Sequence, residues 1–375
     1  MGDDIFSGAL RLLLGDSSEE PSLADPDDLP PQDVATMTEP PVRTFLAFGE
    51  PVITYEQIGE SFDDTDVVLR RRIVCPELEI ASALAVLGTY CEYFTVVPSG
   101  YYGELVHTVA AQAGVHVYSL SGEQGSHVAD STDLSGRKTH QRLLSAFNCC
   151  QLPFKWDKGI INDHVPVWVH TCFSSFLWSD NALASWKNCM ESAFNPKRTD
   201  PGDILVSLEL RTVDCEVQFA ELYDFLKPYF KKFFLLILSP QECLTLGSQL
   251  QVQGGPAKSE PELDGFEPGW NMFVNQVRAK IGCRCIAVPF VSDDASCRLV
   301  VSIDKSAAAS PRIVSSATGL VGKLINKLMH APPGQPINLE SLVGGLSVSR
   351  ASSYSGVDEI DRETIVREPI LEEFN

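Results

Sequence analysis

Along the chain, short hydrophobic runs alternate with longer stretches in which the apolar residues have helical spacing. The first apolar run, Thr44–Phe48, predicts a strand that ends in a Gly-Glu-Pro turn. Helical spacing follows over Glu79–Leu87 and over Glu104–Ala113, and Gly88 and Gly114 are placed to end these two helices. Further strands are predicted at Tyr93–Val97 and Val115–Tyr118. This β–α–β–α–β order indicates a parallel sheet whose strands are joined by crossover helices.

The same alternation continues through the second half of the chain. Strands are predicted at Val167–His170, Ile204–Leu210 and Phe233–Leu238, and helices at Ala182–Phe194, Phe219–Phe225 and Gly319–Met329. Two more runs, Ile286–Val291 and Arg298–Ile303, are predicted to form an antiparallel pair. We therefore expect an α/β protein with a central, mostly parallel sheet flanked by helices.

The two ends of the chain and one internal segment have a different composition. Residues 1–41 combine a short amphipathic helix with an acidic, proline-rich stretch that cannot bury enough apolar surface to order itself. The N-terminal helix is interpreted either as a docking element or as a loosely packed terminus. Residues 248–268 predict a flexible insertion and residues 357–375 a polar tail, both within a folded domain that is expected to span 42–375.

The net charge of the chain limits the classes of partner that are expected. The chain has 375 residues and a formal net charge of −21, which repels phosphodiester backbones and anionic lipid, so neither nucleic acid nor a membrane is expected as a partner. Eleven scattered cysteines favour free thiols in a reducing compartment, and we expect a cytoplasmic location. No apolar run approaches the roughly 20 residues that a membrane-spanning helix needs.

Four short segments carry a more specific signal. They are FGEP at Phe48–Pro51, VCPELEIASALAVLG at residues 74–88, SPQE at Ser239–Glu242 and ATGLVGKLINKL at residues 317–328. In this order they resemble motifs of the ribokinase (PfkB) family of carbohydrate kinases, especially 2-keto-3-deoxygluconate kinases. The resemblance implies a ribokinase-like α/β fold with a small β lid, formed from about residues 51–74 and 115–150.

The last of these segments carries the largest chemical change. In the family, a Gly-Ala-Gly-Asp turn at a helix N-terminus binds phosphate through its amides, and its aspartate takes the proton of the sugar hydroxyl. Here the turn reads Ala317-Thr318-Gly319-Leu320. Leu320 has no titratable atom and cannot act as a general base, whose loss typically costs ~10²–10⁴-fold in rate. Gly319 and Thr318 are the residues that the resemblance leaves for binding a nucleotide or phosphate.

The Asn-x-x-Glu motif of the family, which organises magnesium and phosphate, is kept in part. Glu242 remains, while Ser239 replaces the asparagine. The resemblance implies weak magnesium binding by Glu242 through a bound nucleotide, so ATP and magnesium are the expected cofactors if any bind. The alternative is that Glu242 is a first-turn glutamate of a helix that starts at Ser239-Pro240.

The predicted sugar site is altered as well. Val74-Cys75 replaces the Gly-Gly pair of the family, and Glu79 replaces the asparagine that follows. Glu77, Arg211 and Arg137 remain as candidate substrate-binding residues. A guanidinium suits the carboxylate of a sugar acid, although Arg211 is also interpreted as one half of a structural salt bridge.

These changes lead to two functional hypotheses. The first is a protein that has lost phosphotransferase activity and acts as a binding, regulatory or structural subunit, with a protein partner or larger assembly and residual binding of a nucleotide or sugar acid. The alternative is an active ATP-dependent sugar or sugar-acid kinase whose catalytic base has moved. Asp293, Asp294 and Asp304, upstream of the altered turn, are the candidates for that base.

Overall fold

Two β-sheets organise the part of the chain that the computed structural model describes. That part is residues 43–346, without 59–67, 99, 123–125, 133–137, 145–165, 174–179, 195–203, 211–221, 255, 257–268, 293–295 and 333–334. Within it, the larger sheet has ten strands and the smaller sheet has four. The larger sheet consists of Thr44–Phe48 (β1), Tyr90–Pro98 (β4), Val115–Gly122 (β5), Pro166–Cys172 (β8), Leu205–Glu209 (β9), Leu235–Ile237 (β10), Cys285–Val291 (β11), Ser296–Ile303 (β12), Ser306–Ala309 (β13) and Ile313–Val314 (β14). The smaller sheet consists of Val52–Ile58 (β2), Val68–Val74 (β3), Ser126–Thr132 (β6) and Lys138–Leu144 (β7).

The larger sheet is parallel over most of its width. Its strand order is β13-β12-β11-β10-β9-β8-β1-β4-β5, and β14 pairs with β12. All neighbours from β5 to β11 are parallel, whereas β12 runs antiparallel to β11 and to β13 and β14. Strands such as β1, in which every residue is buried, are typical of a sheet covered on both faces. The smaller sheet has the order β3-β2-β6-β7, in which only β2 and β6 are parallel neighbours.

Helices cover both faces of the larger sheet. They are Pro76–Val86 (α1), Tyr101–Ala113 (α2), Asp180–Phe194 (α3), Pro240–Gln249 (α4), Gly269–Ile281 (α5), Ala317–Met329 (α6) and Leu339–Gly344 (α7). Leu46 and Phe48 of β1 belong to an apolar cluster with α3, α4 and α5. Phe45 and Ala47, which point to the opposite side of the strand, belong to a second cluster with α1, α2, α6 and α7. None of the described helices has both the length and the hydrophobicity needed to cross a membrane.

Local sequence explains where the first helices begin and end. Pro76 occupies the first turn of α1, where its missing N–H costs nothing. Gly88 after α1 and Gly114 after α2 have φ of 88° and 78°, a backbone conformation that glycine adopts without strain. α1 and α6 pack closely, because a Cβ on Gly322 would lie 2.9 Å from the Cβ of Ala83.

The predicted α/β architecture, with a central and mostly parallel sheet flanked by helices, is confirmed, with differences in detail. Helix α5 was assigned no element above, although its buried residues have helical spacing; they are Trp270, Phe273, Val274, Val277 and Ile281. The Gly/Pro-rich residues before it drew the prediction towards a loop. Helix α4 extends to Gln249, so the predicted insertion at 248–268 begins inside a helix. Residues 1–41 and 357–375 lie outside the described residues.

Candidate functional site

The carboxyl edge of the larger sheet contains a point where the winding of the chain reverses. From β1 the chain proceeds through β4 to β5 on one side, and then continues with β8 on the other side of β1. Open α/β sheets bind ligands in the crevice at such a switch point. The smaller sheet joins the chain at the same edge, since β2 and β3 lie between β1 and α1, and β6 and β7 follow β5. The candidate site is therefore the crevice at the carboxyl ends of β1 and β8, with α1, α4 and α6 beginning along the same edge.

Glu77, in the first turn of α1, lies at this switch point. Its side chain is fully buried, and Oε1 accepts a hydrogen bond of 3.0 Å from the backbone N–H of Cys172 at the end of β8. The same carboxyl group fills the space beside Gly49, where any Cβ would overlap with it. Glu77 thus ties the ends of β1 and β8 together. The candidate substrate-binding residue stands at the switch point, but one of its oxygens already holds the backbone.

Cys75 directly precedes α1, where the resembling motif has a glycine. It is almost fully buried, and burial, followed by the carboxylates of Glu79 and Glu77, raises the pKa of its thiol well above the ordinary value. Tyr93 is also fully buried, and burial, followed by nearby Cys75 and Glu77, raises the pKa of its phenol well above the ordinary value. The carboxylate of Glu50, itself fully buried, acts on Tyr93 in the same direction. Both groups therefore stay protonated at neutral pH, beside a set of buried carboxylates.

The start of α6 is closed by contacts within the protein. Ser316 is the N-cap, and its hydroxyl accepts a hydrogen bond of 3.0 Å from the backbone N–H of Gly319. The hydroxyl of Thr318 donates to Oε2 of Glu79 on α1 at 3.4 Å. Gly319 and Thr318, the two residues expected to bind phosphate, therefore already contact protein oxygens. One of these oxygens belongs to a carboxylate, which repels a phosphate group.

Leu320 belongs to the core. It has no exposed surface and lies in the apolar cluster on the α1 and α6 side of the larger sheet. Leu78 of α1 and Leu324 of α6 belong to the same cluster and are also buried. An aspartate at this position would place a carboxylate among apolar side chains, which is strongly unfavourable without a partner.

Helix α4 begins with a reciprocal capping box. The backbone N–H of Ser239 donates to Oε2 of Glu242 at 2.7 Å, and the N–H of Glu242 donates to Oγ of Ser239 at 3.2 Å. This pairing satisfies two backbone donors at the helix start and supports the interpretation of Glu242 as a first-turn glutamate. Within the described part of the chain, no group of three or more His, Cys, Asp or Glu side chains is placed to hold a metal ion.

The proposed relocation of the base to Asp304 is wrong. Asp304 forms the turn after β12 with φ of 53°, and its carboxylate lies 3.4 Å from the guanidinium of Arg284. The preceding residue, Ile303, is paired with Cys285 at the start of β11. Asp304 therefore lies at the amino edge, roughly 20 Å along β11 from the edge where α6 begins. The expectation fails because β12 runs antiparallel and carries the chain away from the site. Four other candidates lie outside the described residues: Arg137, Arg211, Asp293 and Asp294.

Two charged residues near the start of α6 were not assigned a role from the sequence. Glu79 was noted only as a substitution, yet its carboxylate reaches Thr318 across two helices. Arg312 lies four residues before Ser316, and its Nε donates to Oγ of Ser296 at 2.7 Å, at the beginning of β12. Arg312 lies close in sequence to the altered turn at Ala317–Leu320. This closeness could have predicted a cation on this side of the site.

Solved structures that are similar to this chain include carbohydrate kinases. A fructokinase from Xylella fastidiosa is 14% identical, with a TM-score of 0.58 over 82% of this chain and 90% of that chain. A 2-dehydro-3-deoxygluconokinase from Thermotoga maritima is 13% identical, with a TM-score of 0.58 over 81% of this chain and 90% of that chain. A PfkB family carbohydrate kinase from Listeria grayi is 13% identical, with a TM-score of 0.56 over 81% of this chain and 92% of that chain. No protein-family model and no curated protein matches the chain. At these identities the likeness establishes the fold: the chain has the ribokinase-like α/β fold of these kinases.

Proposed function

From this ribokinase-like fold, we propose that the protein has lost phosphotransferase activity and acts as a binding, regulatory or structural subunit. The observation that supports this most strongly is the complete burial of Leu320 at the position resembling the catalytic aspartate of the family. A leucine cannot accept the proton of a sugar hydroxyl, and its apolar surroundings offer no place for a substituting carboxylate at the same point.

The start of α6 also supports the proposal, because its contacts are unfavourable for binding phosphate. A helix N-terminus normally attracts phosphate through its amides and its dipole. Here Ser316 caps the amide of Gly319, and Glu79 contacts Thr318. Two like unit charges at ~4 Å repel each other by about 1–4 kcal/mol, depending on the surroundings. The residues at this turn therefore fit a triphosphate poorly.

Residual nucleotide binding is part of the same proposal. The fructokinase from Xylella fastidiosa has been solved with bound ATP. In this chain, Gly319, Thr318 and Glu242 are the residues that would lie next to a nucleotide with its magnesium. Arg312 adds a cation at the same edge and would offset part of the repulsion from Glu79.

One observation favours the alternative of an active sugar or sugar-acid kinase. Glu79 brings a carboxylate to within 3.4 Å of Thr318, inside the altered turn. In that alternative, Glu79 takes the proton of the substrate hydroxyl in place of the missing aspartate. It replaces Asp304 as the candidate for a relocated base.

Phosphate transfer from ATP and magnesium to a panel of sugars and sugar acids separates the two candidates. We expect no sugar phosphate above the level without protein. The same assay on Glu79→Gln has a matched control in Glu104→Gln, an exposed glutamate in the first turn of α2. Transfer by the native protein that Glu79→Gln abolishes and Glu104→Gln retains would overturn the proposal and establish the alternative.

A further inference from the structure

The amino edge of the larger sheet carries a concentration of cations in a chain with a net charge of −21. These side chains lie at the starts of β10 and β11 and on the adjoining part of α3. All are exposed except one, which is half-buried. We name them the lysine–aromatic patch: Lys187, Lys227, Lys231, Lys232, Lys280 and Arg284.

Aromatic rings hold three of these lysines in place. Nζ of Lys187 lies 5.1 Å from the ring centre of Phe225, and Nζ of Lys232 lies 5.9 Å from that of Tyr229. The rings of Phe225 and Tyr229 pack against each other, with their centres 6.0 Å apart. Lys227 contacts a third ring in the same way, with Nζ 5.8 Å from the ring centre of Tyr223. Cation–π contacts of this kind restrict the lysine side chains, so less entropy is lost when a ligand binds them.

Lys231 contacts the turn that carries the other two cations. The aliphatic part of Lys231 lies against Gly282, where a Cβ would be 3.2 Å from its Cγ. Gly282 stands between Lys280 and Arg284, and the guanidinium of Arg284 lies 5.2 Å from the ring centre of Phe234. The patch is therefore continuous from the end of α5 to the segment before β10.

Carboxylates near the patch are fewer than the cations. Among the described residues, Asp304 lies 3.4 Å from Arg284, Glu191 follows Lys187 by one helical turn, and Asp224 lies between Tyr223 and Phe225. Counted over the described residues alone, six cations against three carboxylates give the patch a net positive charge, whereas the chain as a whole is negative.

We propose that the lysine–aromatic patch binds an acidic segment of a partner protein, rich in aspartate and glutamate. Complementary charge steers such a segment to this edge and suppresses other orientations. The negative charge of the rest of the chain disfavours a long polyanion such as nucleic acid, which would extend beyond the patch. The inference is independent of the fate of the site at the carboxyl edge.

Fluorescence anisotropy of a labelled peptide of alternating glutamate and aspartate, titrated with the full chain, tests this proposal. Wild-type protein is expected to bind the peptide, with an affinity that falls as salt is added. The variant K227Q/K231Q/K232Q is expected to bind about tenfold more weakly, and K227R/K231R/K232R, which keeps the charges, to bind like wild type. If the triple Gln variant melts early, the single changes Lys231→Gln and Lys280→Gln serve the same purpose with smaller losses.

Three results would overturn the assignment. The first is no binding of the peptide by the wild-type protein. The second is equal binding by the Gln and Arg variants, which would show that the lysine charges are not involved. The third is tighter binding of a single-stranded oligonucleotide of the same charge, which would identify the patch as a nucleic-acid surface instead.

Discussion

The two edges of the larger sheet differ in the sign and the accessibility of their charges. The carboxyl edge holds the buried carboxylates of Glu50, Glu77 and Glu242. The amino edge holds exposed lysines supported by aromatic rings, among them Lys227 and Lys232. In a ribokinase-like kinase, the carboxyl edge would be the place for an anionic nucleotide. In the proposals made above, an anionic partner instead binds the exposed lysines of the amino edge.

The difference in accessibility explains what each edge can do. The carboxylates of Glu77 and Glu242 accept hydrogen bonds from the backbone N–H groups of Cys172 and Ser239, so they stabilise the architecture. The lysine charges of the amino edge face solvent. An edge whose polar groups are used internally is suited to holding the fold, while an edge with exposed charges is suited to binding a partner.

The largest expected effect comes from placing a carboxylate at the position of Leu320. Leu320→Asp places a charge in the apolar cluster of α1 and α6, so we expect a loss of about 3–5 kcal/mol in unfolding free energy and no gain of activity. Leu320→Met, which keeps the volume, should cost less than about 1.5 kcal/mol. Urea denaturation of both variants measures the difference. A Leu320→Asp protein as stable as wild type would mean that the position opens to solvent and that the site is less degenerate than described.

The second-largest expected effect is a loss of stability from a substitution at the switch point. Gly49→Ala forces a methyl group against the carboxyl group of Glu77, and we expect a loss of about 1–3 kcal/mol. Gly344→Ala, in the last turn of α7, is the matched control, because nothing lies within 4 Å of a Cβ there. The loss in unfolding free energy caused by Gly49→Ala should be smaller in a Glu77→Ala background if the added methyl group contacts the carboxyl group of Glu77. If the losses in unfolding free energy from the two changes are simply additive, Gly49 and Glu77 do not interact. The structural role given to this carboxylate would then be weakened.

Removing the capping box has a smaller effect. Ser239→Ala deletes one of its two hydrogen bonds, and we expect a loss of about 1 kcal/mol, measured as a shift in the denaturation midpoint. Thr245→Ala on the same helix, whose hydroxyl bonds only back to the carbonyl of Gln241, should stay within about 0.5 kcal/mol of wild type. If Ser239→Ala is also neutral, the hydroxyl of Ser239 is not needed for the start of α4, and the structural importance of the capping box is weakened.

The smallest expected effect is on nucleotide affinity. Glu79→Gln removes the carboxylate next to Thr318, so calorimetry should show Mg-ATP binding that is strengthened about two- to tenfold, less so at high salt. Glu104→Gln, an exposed position on α2 with the same change of charge, should leave the affinity unchanged. Weaker binding by Glu79→Gln would instead make Glu79 a part of a working site.

Much of the fold could be predicted because its signals are local. Apolar spacing located β1, α1 and α2, and the left-handed Gly114 marks the end of α2 as predicted. The β–α–β order indicated a parallel sheet, and the four segments that resemble a kinase family added the ribokinase-like class. Helix α5 was missed although its spacing is helical, because the preceding Gly/Pro-rich residues suggested a loop.

The candidate site could be predicted only in part because it depends on contacts between distant positions. The hydrogen bond between Thr318 and Glu79 joins residues 239 positions apart, and no local pattern announces it. Asp304 could be rejected only once the direction of β12 was known. The sequence indicated only that Leu320 stands where the resembling motif has an aspartate, whereas its place in the core follows from the packing of α6 on α1.

The most direct test of lost phosphoryl transfer is a single-turnover experiment. Protein in excess over γ-labelled ATP, with magnesium and a saturating sugar or sugar acid, reports even a slow transfer within one binding event. We predict that the label stays on ATP, at the level seen with heat-unfolded protein, for every substrate in the panel. Transfer of the label to a sugar, lost in Glu79→Gln and kept in Glu104→Gln, would contradict this and make the protein an active kinase with a relocated base.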